Sequence, residues 1–429
     1  MPDLNQLHRH AREIFDHALS SVDPREAVKQ AIKVNGSVVE IDGACLDVSS
    51  RPVYAIAVGK ASAAMAAGLE EALGARLAEG VLTSSGGHPL PNEESLAAAQ
   101  AAFEILDRAN AEQATVIFLI SGGGSAMIEW PVSDEISLAD LQAANQILVS
   151  CGATIAEVNA VRRAFSAVKG GALARRAPRA RIVNLIVSDT NRGDEASVAS
   201  GPTMNSPPDA PQAIDVIERY KLETLLPQSI VKAIRTADTT SQEEGLSPAP
   251  PALRSHIVLL DNGTALEAAR SKAQALGFTC ATLHDISEQP IEIGCDLLLS
   301  RLLTEPTTDP FCAISGGEFS CPVRGDGRGG RNLETVLRCA IRLDESKINN
   351  GQHFVILSAG TDGIDGNSPA AGAIADETTI PRARKLTLDA HQYLARSDSY
   401  GFFERLNALI ITGPTGTNVR DLRIFLRSP

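Results

Sequence analysis

Short, unbroken apolar runs recur along the chain: VYAIAV (53–58), TVIFLI (115–120), IVNLIV (182–187), HIVLL (256–260), FCAI (311–314), FVIL (354–357) and ALII (408–411). Apolar residues that run on rather than alternate belong to strands covered on both faces, so the pattern predicts mostly parallel sheets of an α/β fold. Each run ends in small or acidic residues, after which helical spacing takes over. The opening segment, about 4–33, has the helical period from its start, and Asp23-Pro24 marks the beginning of a second helix. The stretch 236–254, TADTTSQEEGLSPAPPALR, is polar and proline-rich and reads as the domain boundary. The expectation is an N-terminal α/β domain over 1–240 and a smaller C-terminal α/β domain over 255–429.

Composition narrows the function classes. A chain of 429 residues has room for two or three cores. Its net charge of −13 argues against a nucleic-acid partner, which needs a basic face. No apolar run is long enough to cross a bilayer, and MPDLNQLHRHAREIF lacks the apolar stretch of a signal peptide, so a cytoplasmic protein is expected. Seven cysteines without a C-x-x-C pair are expected to be reduced. Eight scattered histidines give no zinc spacing.

Six strand ends carry related loops: VGKAS (58–62), SGGGSAM (121–127), SDTNRGDEASVASGPT (188–203), SGGEFS (315–320), SAGTDGIDG (358–366) and TGPTGTN (412–418). Glycine turns expose backbone N–H groups as concavities for anions, and a helix that starts just after adds its positive end. Ligands of such sheets sit beyond the carboxyl ends of the strands. Six such loops, with Lys60, Asp189, Asp194, Glu318, Asp362 and Asp365 among them, point to phosphate handling. The aspartates suit a magnesium ion, which needs few protein ligands, and equally suit capping of helix N-termini.

Known motifs are mostly absent. Gly59-Lys60 is followed by Ala61, so there is no Walker A loop, and Met127 breaks a nucleophile elbow around Ser125. GDGRGGRN (325–332) matches G-x-G-x-x-G at Gly325, Gly327 and Gly330, but the acid after the next strand, Asp362, comes too late for a dinucleotide fingerprint. Arg328 and Arg331 in that stretch suggest a nearby anion. NAVRRAFSAVKGGALARR (159–176) places Arg162, Arg163 and Lys169 on a helical pattern; the Gly170-Gly171 interruption favours close backbone approach or a ligand. His88 is expected to order its own loop by a hydrogen bond.

Taken in order, AVGKAS, GGHPLPNEES, LISGGGSAM, VRRAFSAVKGGALA, VSDTNRGDEASVASGPT, ISGGEFS, GRGGRNLE, LSAGTDGIDG and TGPTGTNVRDL resemble the glycerate 2-kinase family, whose C-terminal part is the MOFRL domain. The likeness runs from about residue 53 to the C-terminus. It departs at Arg163-Ala164-Phe165, where the family often has a His, at Pro369, where an Asp is usual, and at Arg420, where an Asn is frequent.

The resemblance implies an α/β protein of two domains, an N-terminal Rossmann-like three-layer sandwich and the smaller MOFRL domain, with the active site in the cleft. It implies ATP-dependent phosphorylation of D-glycerate at the 2-hydroxyl, with Mg²⁺. Lys60 and Arg331 fall at positions expected to matter for catalysis, and Asp189 is assigned to orient the hydroxyl. Ser121, Gly122, Gly123, Gly124, Ser125, Lys169, Gly316, Gly317, Glu318, Gly329, Gly330 and Asn332 are expected to bind the nucleotide. Asp189, Asp194 and Asp362 are the expected metal ligands. An NAD(P)-dependent hydroxypyruvate reductase, a kinase of a related small hydroxy-acid, and a non-catalytic nucleotide-binding module stay open as alternatives, as does a homodimer.

Overall fold

A computed structural model describes residues 3–47, 51–83, 90–207, 209–243, 254–306, 309–347 and 351–428. The chain forms two units, Pro24–Leu259, and Met1–Asp23 together with Leu260–Pro429.

In the first unit, β1 (Ile32–Asn35), β2 (Val38–Ile41) and β3 (Ala44–Asp47) make a small antiparallel sheet that the apolar runs did not announce. Its main sheet comprises β4 (Val53–Val58), β5 (Leu77–Leu82), β6 (Thr115–Ser121), β7 (Arg181–Val187) and β8 (Arg254–Leu260), in the order β5-β4-β6-β7-β8. The pairs β4–β5, β4–β6 and β6–β7 are parallel, as expected. Tyr54, Ile56 and Val58 of β4 pack with Ala102 and Leu106 of the helix Glu93–Glu112. Strand alternation turns the equally buried Ala55 and Ala57 to the other face, and the helix Ser62–Leu73 also packs on β4. Helices therefore cover the sheet in the layered arrangement of an α/β domain. Their starts are local: Asn92 with Ser95, Ser137 with Asp140 and Thr154 with Glu157 form reciprocal capping boxes.

The second unit holds β9 (Thr279–Thr282), β10 (Phe311–Gly317), β11 (His353–Gly360), β12 (Gly372–Asp376), β13 (Leu409–Ile410) and β14 (Asp421–Ser428), ordered β13-β12-β11-β14-β10-β9. Only β9–β10 is parallel; β14 runs antiparallel to both β10 and β11. This corrects the expectation of mostly parallel sheets in both domains. The reason lies in β14, whose Asp421, Arg423 and Arg427 interrupt any apolar run although every residue of the strand is buried. Leu422, Ile424 and Leu426 face one core, and Phe425 faces the other. Arg423 Nη1 donates to Ser315 Oγ (3.2 Å) and to the Gly316 carbonyl, Nη2 donates to the Gly317 carbonyl (3.1 Å), and the guanidinium lies 3.6 Å from the centre of the Phe319 ring. Arg427 donates to the carbonyls of Leu302 and Glu305, both at 2.9 Å, at the end of the helix Ile291–Thr304. Buried arginine thus satisfies carbonyls that would otherwise be stranded.

The division at 240 and 255 is also corrected. The helix Leu4–Ser21, expected in the first domain, buries Leu7, Ala11, Ile14 and Phe15 with Ile424, Leu426 and Val355 of the second unit's sheet. β8, expected in the second domain, adds an edge to the first sheet, where Asn184 Nδ2 donates to the Ser255 carbonyl at 3.0 Å. The helix Gln228–Glu243 occupies the first part of the polar stretch, and 244–253 lie outside the described residues. His88 also lies outside them. All seven cysteines are free. Among the described residues, no helix is long and apolar enough to cross a membrane.

The N-terminal helix is tied to β12 by His8 Nε2 and Asp376 Oδ2 at 2.7 Å. Burial works to raise the Asp376 pKa, but the bonds from His8 and from the Thr378 hydroxyl and N–H overcome it and push it down to about 2. A carboxyl depressed in the folded state stabilises it above the unfolded value and loses that contribution as pH falls through the folded value. The advantage of the wild type over Asp376→Asn in urea unfolding should therefore be about 2 kcal/mol above pH 4 and shrink toward zero by about pH 2. A pH-independent difference would refute this.

Candidate active site

β4, β6 and β7 end level with one another: Val58 lies opposite Ile120, and Ser121 opposite Val187. Their three loops then interlock. Lys60 N–H donates to the Gly122 carbonyl (2.9 Å) and Ala61 N–H to Ser121 Oγ (3.0 Å). A Cβ on Gly122 would overlap the Asp189 carboxylate, and one on Gly123 would meet Lys60 Cγ at 2.9 Å. Gly123 also has φ +77°, a conformation that favours glycine. A Cβ on Gly124 would meet Ala199 and Val58, each at 2.8 Å. Ser125 Oγ lies 2.8 Å from Ser200 Oγ, which donates to Asn159 Oδ1 at 2.8 Å. The structure thus brings together Lys60, Ser121, Gly122, Gly123, Gly124, Ser125 and Asp189: an exposed ammonium, a half-buried carboxylate and bare main chain at the carboxyl edge of a parallel sheet. Such a concavity suits an anion, with the cation alongside.

Lys169 is placed differently. Its ammonium is buried and bonded to the buried carboxylate of Glu129, which also takes the Ser166 hydroxyl. Burial lowers the Lys169 pKa, and Glu129 works to restore it. Arg162 is tied to Asn145 Oδ1 at 2.8 Å. Glu129 was missed by sequence reasoning; its signal was a single acid within the apolar run AMIEW.

Apart from Asp194, the remaining expected residues lie in the second unit, where another set of loops meets. Asp421 sits opposite both Gly317 of β10 and Gly360 of β11. Arg331 donates to it twice, Nε to Oδ2 at 2.6 Å and Nη2 to Oδ1 at 3.1 Å, and Nη2 also meets Glu318 Oε1 at 2.7 Å. Burial pulls the Arg331 pKa down, yet Asp421 and Glu318 more than offset it and hold the guanidinium above its ordinary value. Asn332 Nδ2 donates to Asp421 Oδ1 (2.8 Å) and Asp365 Oδ1 (3.3 Å), while its Oδ1 accepts from Ser358 Oγ (2.6 Å). Asp365 accepts the N–H groups of Asn332 (3.0 Å) and Leu333 (2.8 Å), capping the helix Arg331–Glu345. Burial raises its pKa to about 7, against these two bonds. Asn262 Nδ2 donates to the Val419 and Asp421 carbonyls (2.7 and 3.0 Å), and its Oδ1 fills the space a Cβ on Gly316 would need.

The GDGRGGRN stretch answers to its own chain. Cβ atoms on Gly325 or Gly327 would strike the backbone around Arg396 and Asp398, and one on Gly330 would strike Asp365 and Gly366. Gly329 N–H donates to Asn367 Oδ1 at 2.8 Å, and Arg328 lies 4.2 Å over the Tyr400 ring. The G-x-G-x-x-G spacing is therefore accounted for by packing. Asp421, which organises this region, went unread because it opens a strand that sequence reasoning missed.

The expected metal ligands do not share one loop. Asp189 and Asp194 follow β7, and Asp194 Oδ1 accepts from Ser197 Oγ at 2.7 Å; Asp362 follows β11, with Oδ1 accepting from Ile364 N–H at 3.2 Å. Among the described residues, no group of three or more His, Cys, Asp or Glu could hold a metal ion. One carboxylate beside a glycine concavity suited to an anion still fits magnesium, which needs few protein ligands and completes its shell with other oxygens.

Two domain models match the chain: "Domain of unknown function (DUF4147)" over residues 10–235 and "MOFRL family" over 311–421. The D-glycerate 2-kinase of Thermotoga maritima is 35% identical, covering 99% of this chain and all of that one. The glycerate 2-kinase of Pyrococcus horikoshii is 32% identical over 96% of each chain. The crystal structure of a glycerate kinase from Thermotoga maritima superposes with a TM-score of 0.80 at 31% identity, covering 98% of this chain and 99% of that one. With both domain models in order and end-to-end likeness to these enzymes, the chain belongs to the glycerate 2-kinase family.

Proposed function

We propose that this kinase transfers the γ-phosphoryl group of ATP to the 2-hydroxyl of D-glycerate, giving 2-phosphoglycerate and ADP in the cytoplasm. The observation that carries the reading is the meeting of Lys60, the Ser121–Ser125 loop and Asp189 at the ends of three adjacent parallel strands. The names of the full-length relatives supply the acid. In the reaction the hydroxyl oxygen forms a bond to the γ-phosphorus, the bond to the β–γ bridging oxygen breaks, and the hydroxyl proton leaves. Phosphoryl transfer asks the protein for positioning and charge neutralisation rather than covalent participation.

The residues divide this work. Backbone N–H groups of Gly122, Gly123 and Gly124 bind phosphate oxygens, and Lys60 offsets the charge on the transferring group. Asp189 orients the hydroxyl and receives its proton, or, with Asp194, holds Mg²⁺. When bound, Mg²⁺ neutralises charge on the phosphate oxygens. Arg331 presents a cation within the second unit. Among the described residues its Nη1 makes no hydrogen bond, so the pairing with Asp421 and Glu318 orients the side chain and leaves donors for an anion. Gly316, Gly317, Gly329, Gly330, Glu318 and Asn332 then act by shaping and holding these loops. Asp362, in the second unit, is a candidate cation ligand there.

Three experiments test the proposal. A coupled ADP-release assay with D-glycerate should show turnover, and product analysis should find phosphate on the 2-position; nicotinamide oxidation with hydroxypyruvate and no ADP release would point instead to a reductase. Lys60→Ala should reduce kcat about 10²–10³-fold, the typical loss of a charge-stabilising donor, without lowering the melting temperature, because the side chain is exposed. Gly122→Ala should displace the Asp189 carboxylate and lower kcat about 10²-fold. Near-normal turnover in either variant would remove that residue from the assigned role.

A further inference from the structure

A second cluster of cations in the Pro24–Leu259 unit is used by none of the steps above. A cavity of about 270 Å³ lies between the helix Ile155–Phe165, the Lys169–Gly171 turn, residues 206–207 and 210–214, and the helix Gln228–Glu243. Arg163, Gly170, Arg175, Pro207 and Ile234 line it, and among the described residues Asp238 is its one acidic lining residue. Lys169 also reaches the wall, but its charge is bonded to Glu129.

Arg163 is the unexplained member. It is half-buried, and among the described residues it makes no hydrogen bond or salt bridge. Burial lowers its pKa, and the nearest opposing influence is Asp194, beyond ion-pair reach. A half-buried guanidinium without a partner forgoes interactions that its five donors could make. Its orientation is nonetheless built in: the side chain crosses Gly170, where a Cβ would meet Cδ at 2.6 Å, and Gly170 has φ +58°. Gly170 and Gly171 are fixed by N–H bonds to the carbonyls of Ser200 (3.1 Å) and Gly201 (2.7 Å), in the loop that begins at Ser188. Arg175 is anchored by Nη1 on the Gly170 carbonyl (2.7 Å) and on Asn205 Oδ1 (3.3 Å), with Arg254 close enough to be felt electrostatically. The Lys-Gly-Gly interruption thus aims one guanidinium and steadies another beside the same cavity. The volume is below the roughly 300–1,000 Å³ of pockets for drug-sized ligands, so the occupant is small.

We propose that Arg163, positioned by Gly170 and assisted by Arg175, anchors a small oxyanion in this cavity, a carboxylate or a phosphate. The two groups share the planar or tetrahedral oxygen geometry that a guanidinium matches. The claim does not require the kinase assignment, because binding alone tests it.

Titration calorimetry on the full chain, with D-glycerate, inorganic phosphate and a non-hydrolysable ATP analogue each added alone, separates the sources. At least one should bind the wild type, and that one should bind Arg163→Gln about 10- to 100-fold more weakly, the loss of a charge-assisted hydrogen bond. Arg163→Lys, which keeps the charge, should fall between. Gly170→Ala, which keeps the guanidinium but displaces it, should also weaken binding. Unaltered affinity for all three ligands in an Arg163→Gln protein that melts normally would overturn the proposal, and so would failure of all three to bind the wild type. Wild-type ADP release with D-glycerate reads the kinase assignment separately.

Discussion

The N-terminal site depends on the absence of side chains at Gly122, Gly123 and Gly124. Three parallel strands end level, and their loops must cross above them. The space that a Cβ at these positions would claim holds the Asp189 carboxylate, the Lys60 methylenes and the Ala199 methyl. Main chain, cation and acid can therefore stand close together only because that stretch offers nothing beyond Cα. Glycine at such positions costs conformational entropy in the unfolded chain, a cost a structural turn of this length would not require three times.

The second unit solves a different problem with buried charge. Its β14 runs antiparallel between β10 and β11, and Asp421, Arg423 and Arg427 lie within it. Buried ions are costly unless geometry and hydrogen bonds are complete. Here they are largely met: the arginines satisfy loop and helix-end carbonyls, and Asp421 takes Arg331 and Asn332. The same strand that closes the sheet thus fixes Arg331 in direction. Asp365, pushed up to about 7 by burial, adds a group poised to titrate near neutrality at the start of the same helix.

The two glycine-rich stretches, alike on the page, serve different ends. Gly122 and Gly123 of SGGGS make room for Asp189 and Lys60 of neighbouring loops, whereas most glycines of GDGRGGRN make room for the segments around Arg396 and Asp365. Lys169 and Arg163, six residues apart in one basic stretch, likewise part company: one is neutralised inside the core and the other faces a cavity.

What the sequence by itself determined follows from local rules. Continuous apolar runs gave away β4, β6, β7, β10 and β11, because strands covered on both faces need apolar residues throughout, and glycine with serine or aspartate after each run marked the loops that bear Lys60 and Asp189. Ordered from about residue 53 to the C-terminus, these loops also identified the family. Tertiary structure alone decided the rest. The helix Leu4–Ser21 joins the far end of the chain because its apolar stripe matches the sheet there, a contact across more than 300 positions that no local pattern encodes. β14 was hidden because the groups that hydrogen-bond its buried arginines lie about a hundred positions away, Ser315 and Gly317 for Arg423. Whether a buried lysine meets a carboxylate, or a glycine meets a ligand rather than its own chain, depends on what folding brings opposite it, and that is a property of three-dimensional neighbours.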